Sequence, residues 1–227
     1  MSTDEERRGR EGLAPIADEV DRLRRIARDA VGGACDEFFA AYDAEPEPRR
    51  LAAWLGPRCW REIDYTFMLN EEIRRYGLSF ERKHVAAIAR HSLQEAEHYE
   101  MIGRIIERLG GSVPTSVPDA VRPWSEYLWA CLDRHRLSAI AAWYVSETSA
   151  TGTFDATLAA ARRYGLDDML KIYQHVIKDE EFHLGLGRLL LDRYIETDED
   201  LDEVLRSMRG MTDLVAHSYR PAAVSAT

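Results

Sequence analysis

Two Glu-x-x-His motifs, Glu95/His98 and Glu180/His183, constrain this chain more than any other feature, because both sit on helix faces that are otherwise apolar. Ile88, His91, Glu95, His98, Ile102 and Ile105 step by three or four residues and so share one face. Ile172, Val176, Glu180, His183, Gly187 and Leu190 do the same. An unpaired buried carboxylate costs on the order of several kcal/mol, so a fold that buries two of them must place positive charge between them. A metal ion does this directly. Carboxylate oxygens together with imidazole nitrogen suit iron or manganese.

A Glu and a His three apart on one helix can reach the same ion, and two such helices face to face supply four ligands. One further carboxylate is expected from the helix that precedes each motif. Ahead of Glu180, the only carboxylate between Asp133 and Asp155 is Glu147, on the stripe Ile140, Trp143, Glu147, Thr151, Phe154. Ahead of Glu95, Glu62 lies on the stripe Leu55, Cys59, Glu62, Thr66, Leu69. Asp64 is the alternative there, although off that stripe, and Glu71 and Glu72 share the segment. Glu62 precedes Glu95 by 33 residues and Glu147 precedes Glu180 by 33. The pentapeptide RRYGL also recurs, at 74–78 and 162–166, each time between two helical stretches. Together these predict two similar antiparallel hairpins, joined by the crossover GGSVPTSVP at 110–118.

The chain has no alternating β-branched strands and no Asn-Gly or Asp-Gly turns, which predicts an all-α protein. Helices are expected over Pro15–Tyr42, from Pro57 to Tyr76 with Gly77 as the stop, and from Ser79 to Leu109. Others are expected from Trp124 to Tyr164 with a break at Gly152, from Asp167 to Tyr194, and from Leu201 to Tyr219. A length of 227 residues fits one domain spanning 1–227, its metal-binding core in 50–195, with 1–12 too charged to order. The net charge of −10 disfavours nucleic acid and anionic membranes as partners. The longest apolar run, LSAIAAWYV, is too short to span a bilayer, and no signal peptide is visible, so the expected location is cytoplasmic. Cys35, Cys59 and Cys131 lie far apart without a C-x-x-C pair, so zinc knuckles, rubredoxin sites and disulfide scaffolds are not expected.

Glu62, the EAEH at 95–98, Glu147 and the EEFH at 180–183, with the long crossover, resemble the ferritin-like di-iron carboxylate superfamily over roughly residues 50 to 195. The stretch KDEEFHLGLGRLLLDRY looks most like its small-molecule oxygenases, such as aldehyde-deformylating oxygenases and phenylacetyl-CoA epoxidase subunits. The resemblance implies a ferritin-like four-helix bundle with additional N- and C-terminal helices. It also implies two Fe ions, or an Mn/Fe pair, with Glu95 and Glu180 bridging. Glu62 and Glu147 would be terminal ligands, and His98 and His183 would bind one ion each.

His91 lies one turn before Glu95 and is either a further ligand or a hydrogen-bonded core histidine. Some N-oxygenases of the superfamily have a third histidine at this spacing, but on their last metal-binding helix, where this chain has Val176. Thr151, one turn after Glu147, is either a catalytic hydroxyl near the oxygen-binding face or a small residue that lets helices approach. The implied activity is an O2-dependent oxidoreductase acting on a small organic substrate, served by an external electron donor such as a reductase or ferredoxin and compatible with a homodimer. A ferroxidase or peroxide-scavenging protein is the second reading, and a metal-free helical adaptor the third.

Overall fold

The computed structural model describes residues 12–218. The expected disorder of 1–12 falls almost wholly outside that range, as does Tyr219, the expected end of the last helix. Among the described residues the structure is all α-helical, with no strand. A 3₁₀ turn at Ala14–Ile16 leads into α1 (Ala17–Ala44), followed by α2 (Pro48–Tyr76), α3 (Arg82–Arg108), α4 (Arg122–Arg134), α5 (Ser138–Ala150), α6 (Phe154–Arg163), α7 (Asp167–Tyr194) and α8 (Asp198–Ser218). No helix among the described residues is long and apolar enough to cross a membrane.

Three expected boundaries are corrected. Helix α2 starts at Pro48, which fills the first turn where no N–H is needed, and Pro57 lies inside the helix. The residues flanking Pro57 hold the helix together, because Leu55 and Cys59 are buried in the core. Helix α3 begins at Arg82, since Gly77–Ser79 form a 3₁₀ turn instead of its first turn. The segment expected as one helix from Trp124 is three. His135 adopts extended backbone after α4, and α5 and α6 are separated only by the 3₁₀ turn Thr151–Thr153.

The two RRYGL copies also end their helices differently. Gly165 takes φ +65°, the left-handed stop that glycine favours, while Gly77 at φ −55° stays right-handed. The shared sequence therefore does not encode a shared turn.

Helix α5 explains the architecture. Every residue from Ser138 to Ser149 is buried, as expected of a helix surrounded on all sides. Helices α1, α4, α7 and α8 pack against it. The hairpin α2–α3 is closed by extensive packing along its length, α3 meets α7, and α6 packs back on α7. The joint at 151–153 crosses α1 closely. A Cβ on Gly152 would lie 2.3 Å from the Arg28 carbonyl oxygen, so only glycine fits that contact.

Buried apolar residues form two clusters. One joins Met68, Leu69, Trp143, Leu190 and Met208, and the other joins Phe39, Leu55, Cys59, Ile102 and Tyr173. On α2, α3 and α7 the first cluster takes one end of each helix and the second the other. The motif residues fall between them, in a polar layer at mid-length.

Candidate metal centre

That layer gathers the residues that the sequence singles out. His91, His98 and His183 are fully buried, and Glu95, Glu147 and Glu180 are no more than 4% exposed. The Glu62 side chain is 16% exposed. Two groups of ligand atoms form, each with its members within 4.8 Å of one another: His91, Glu95, Glu147 and His183, and separately Glu62, Glu95 and His98.

Glu95 belongs to both. Its Oε1 lies 2.9 Å from His91 Nε2 and 3.1 Å from His183 Nδ1, while its Oε2 lies 3.6 Å from His98 Nδ1. One carboxylate thus turns one oxygen to each group. Glu147 Oε1 approaches His91 Nε2 at 3.3 Å, Glu180 Oε2 approaches His183 Nδ1 at 3.6 Å, and Glu62 Oε2 approaches His98 Nδ1 at 3.4 Å.

A surrounding layer sets the histidine tautomers. His98 donates Nε2–H to Asp179 Oδ2 at 3.3 Å, and His183 donates Nε2–H to Gln94 Oε1 at 3.3 Å. Gln94 in turn donates to Asp179 at 2.5 Å. With Nε2–H given to these acceptors, both rings turn Nδ1 into the cluster. Half-exposed His175 adds a contact from its Nε2 to Asp179 at 3.4 Å. His91 differs, because its Nδ1 is buried with no hydrogen-bond acceptor. Its stacking on His183, with ring centroids 3.7 Å apart, fixes its plane instead.

The electrostatics follow from burial and from the crowding of charges. Burial, helped by the Glu62 charge, raises Glu95 well above the usual carboxylate range, and burial beside Glu180 does the same to Glu147. Burial also holds His91 far below the usual histidine range, with the His183 and His98 rings adding to it. Burial acts downward on His98 too, but Glu62 and Glu95 outweigh it and push that ring up to about 12. Burial acts upward on Glu62, and His98 overcomes it to hold that carboxyl low.

The residues fit a metal ion on independent grounds. Nδ1 of His98, Nδ1 of His183, Glu95 Oε2, Glu147 Oε1 and Glu180 Oε2 are all buried and make no hydrogen bond. Orphaned polar atoms at this density are rare in a protein interior, and metal ligation satisfies them together.

Asp64 and Thr151 stand apart from the cluster. Asp64 accepts the indole N–H of Trp129 at 2.9 Å. Thr151 donates its hydroxyl to the Thr148 carbonyl at 2.7 Å, and Thr153 is the neighbour that lines the cavity beside the cluster. Trp143, Thr151, Leu69 and Ile102 lie on the stripes that carry the ligands and would be expected to flank an open face of the centre; of these only Ile102 lines this cavity. Sequence reasoning missed Gln94 and Asp179. Their signal was adjacency, since each directly precedes a motif glutamate and can turn toward the neighbouring helix. No family model matches the chain, and neither the curated proteins nor the solved structures contain a match to it.

Proposed function

We propose that the chain is a ferritin-like bundle that holds two iron ions, or an Mn/Fe pair, and acts as an O2-dependent oxidoreductase on a small organic molecule. The observation that carries this reading is Glu95, whose two oxygens face two separate groups of ligand atoms. Hard carboxylate oxygens with imidazoles match iron and manganese better than zinc or copper. Bound there, such a pair would supply one-electron redox chemistry toward O2, with an external donor as the source of the electrons.

The protein's own residues perform four tasks in this scheme. Glu62, Glu95, Glu147 and Glu180 supply the negative charge that would offset two divalent cations, so that the centre can sit in an apolar bundle. Asp179 and Gln94 hold His98 and His183 in the tautomer that leaves Nδ1 available. The two apolar clusters above and below the layer exclude water from it. A cavity of about 60 Å³ reaches Glu62, Glu147 and Glu180 and is walled partly by Val31, Ile102, Phe154 and Val176, which favours an organic substrate over a hydrated iron ion.

The test is elemental analysis of purified protein, then O2 consumption by the reduced protein with and without organic substrates. Two ions per chain are expected, falling towards one in His183→Ala and further in Glu95→Ala. Unchanged stoichiometry in both variants refutes the ligand assignment. Oxidation that yields only ferric mineral, at a rate no organic compound alters, establishes the ferroxidase reading instead.

A further inference from the structure

The outer face of the α3–α7 pair differs in charge from the rest of the chain. Two helical stripes meet there. On α7, Lys171, His175, Lys178, Phe182 and Leu189 fall on one side, and on α3, Lys83, Ala87, Arg90 and Gln94 do the same. Arg90 lies 4.5 Å over the Phe182 ring, Gln94 donates to Asp179, and Arg193 pairs with Glu81, so the stripes run side by side. Five basic residues, Lys83, Arg90, Lys171, Lys178 and Arg193, therefore gather on one face of a chain whose net charge is −10. Glu81 offsets Lys83 and Arg193, Asp179 is turned to His98, and Glu97 marks the lower margin. Arg90, Lys171 and Lys178 are exposed and keep the face positive. Helix α8 is the opposite case, with Asp198, Glu199, Asp200, Asp202, Glu203 and Asp213 against Arg206 and Arg209.

The face also has an apolar part. Leu93 follows Arg90 by one turn and is 60% exposed, and Leu189 follows Phe182 by two turns and is 49% exposed. Apolar side chains inside a charged rim suit a folded protein surface better than a row of phosphates. Two chains of contacts lead inward from here to the candidate ligands. Phe182, half-buried under Arg90, meets the His183 ring nearly edge-on with centroids 6.0 Å apart. His175, its side chain 54% exposed, touches Asp179 at 3.4 Å, and Asp179 accepts the Nε2–H of His98 at 3.3 Å.

We propose that this face docks a small acidic electron-carrier protein. Acidic groups of the carrier sit against Arg90, Lys171 and Lys178, and its apolar surface covers Leu93 and Leu189. The proposal deepens the metalloenzyme reading and rests on it for the purpose of the contact. In each encounter the reduced carrier gives one electron to the centre and leaves oxidised, so two encounters deliver a pair of electrons. The docking contacts themselves involve only surface side chains.

The experiment is calorimetric titration of the full chain with two probes, an acidic [2Fe–2S] ferredoxin and an acidic flavodoxin, at about 20 mM and about 150 mM salt. A short DNA duplex serves as a non-protein polyanion, and the metal content of every sample is measured. One carrier should bind per chain, more weakly at the higher salt. Arg90→Glu and Lys178→Glu should each weaken binding roughly tenfold, since each replaces an attraction by a repulsion at the rim. Leu93→Asp should weaken it by a similar factor, whereas Arg25→Glu, the same charge change on α1 away from both stripes, should alter it less than about twofold. Thermal melts identify a variant that does not fold; if Arg90→Glu fails through loss of its packing on Phe182, exposed Lys178→Glu must still weaken binding.

No binding of either carrier at the lower salt overturns the proposal. So does weakening by Lys178→Glu no greater than by Arg25→Glu, or DNA that binds as tightly as the carriers. Two ions per chain with any of those results removes the docking face and leaves the metal centre standing. Protein that never holds metal leaves a bound carrier nothing to reduce, and then electron delivery falls together with the metalloenzyme reading, whatever the affinity.

Discussion

Glu72 offers the sharpest physical test of the fold, because it is a fully buried carboxyl that belongs to no ligand group. Both of its oxygens lack a hydrogen-bond partner, and the Trp143 indole N–H faces it without reaching hydrogen-bond geometry. Burial pushes its pKa up from 4.5 to about 8. The consequence for stability has a definite sign. Below about pH 4.5 the group is protonated in both the folded and unfolded chain and has no effect on the balance. Between about pH 4.5 and 8 the unfolded chain releases the proton while the folded chain keeps it, so stability falls as pH rises. Above about pH 8 the loss is complete. A shift of that size corresponds to about 5 kcal/mol, an upper bound because water entry or local opening lowers the cost of ionisation. Glu72→Gln keeps the shape and cannot ionise. Urea denaturation of chelated wild type and variant at about pH 5 and about pH 8.5 isolates the effect, since every other titrating group is common to both proteins. The variant should gain little at the lower pH and up to about 5 kcal/mol at the higher, or roughly 10 °C or more in melting temperature for a chain of this size. A stability difference that is the same at both pH values refutes the argument, because it means Glu72 ionises in the folded protein without penalty.

Asp179→Ala removes the acceptor that orients His98 and should lower metal affinity by roughly tenfold to a hundredfold without unfolding the protein, as read by competition with a chromogenic chelator. Gly152→Ala drives a methyl group into the Arg28 carbonyl and should cost about 1–3 kcal/mol by denaturant titration, whereas Gly33→Ala, whose Cβ meets nothing, should cost far less. Removing metal leaves the buried glutamates of the centre without a counter-charge, so chelated protein should melt several degrees below loaded protein and recover when iron is restored, as followed by circular dichroism.

The sequence showed the site more clearly than it showed the path of the chain. All four helices that meet at the centre were legible because each places a charged residue where its periodicity demands an apolar one. The equal 33-residue separations then set the heights of the two hairpins. The break at 135–137 was not legible, since His135, Arg136 and Leu137 carry no glycine or proline to mark it. What ends α4 is tertiary. Arg136 donates to the Tyr194 carbonyl and His135 approaches Asp200, so the turn is held by contacts with the end of α7 and with α8, far along the chain. Pro57 misled in the opposite direction. Local propensity reads it as a helix start, yet the buried residues on either side keep α2 continuous through it.

The same contrast accounts for Asp64 and Glu72. Counting carboxylates in α2 cannot separate them from Glu62, because all are acidic and all lie in one helix. Geometry separates them by what each oxygen meets: Trp129 for Asp64, Trp143 for Glu72, and His98 with Glu95 for Glu62. Of the three, only Glu62 joins a group in which Glu95 Oε2 and His98 Nδ1 are buried without a hydrogen bond. A single acid buried against an indole can stay neutral by holding a proton, as Glu72 does. Four acids converging on three imidazoles cannot all do so while keeping orphaned oxygens and Nδ1 atoms pointed at one another. That difference, rather than the motif alone, is why the mid-length layer reads as a metal centre and the other buried acids do not.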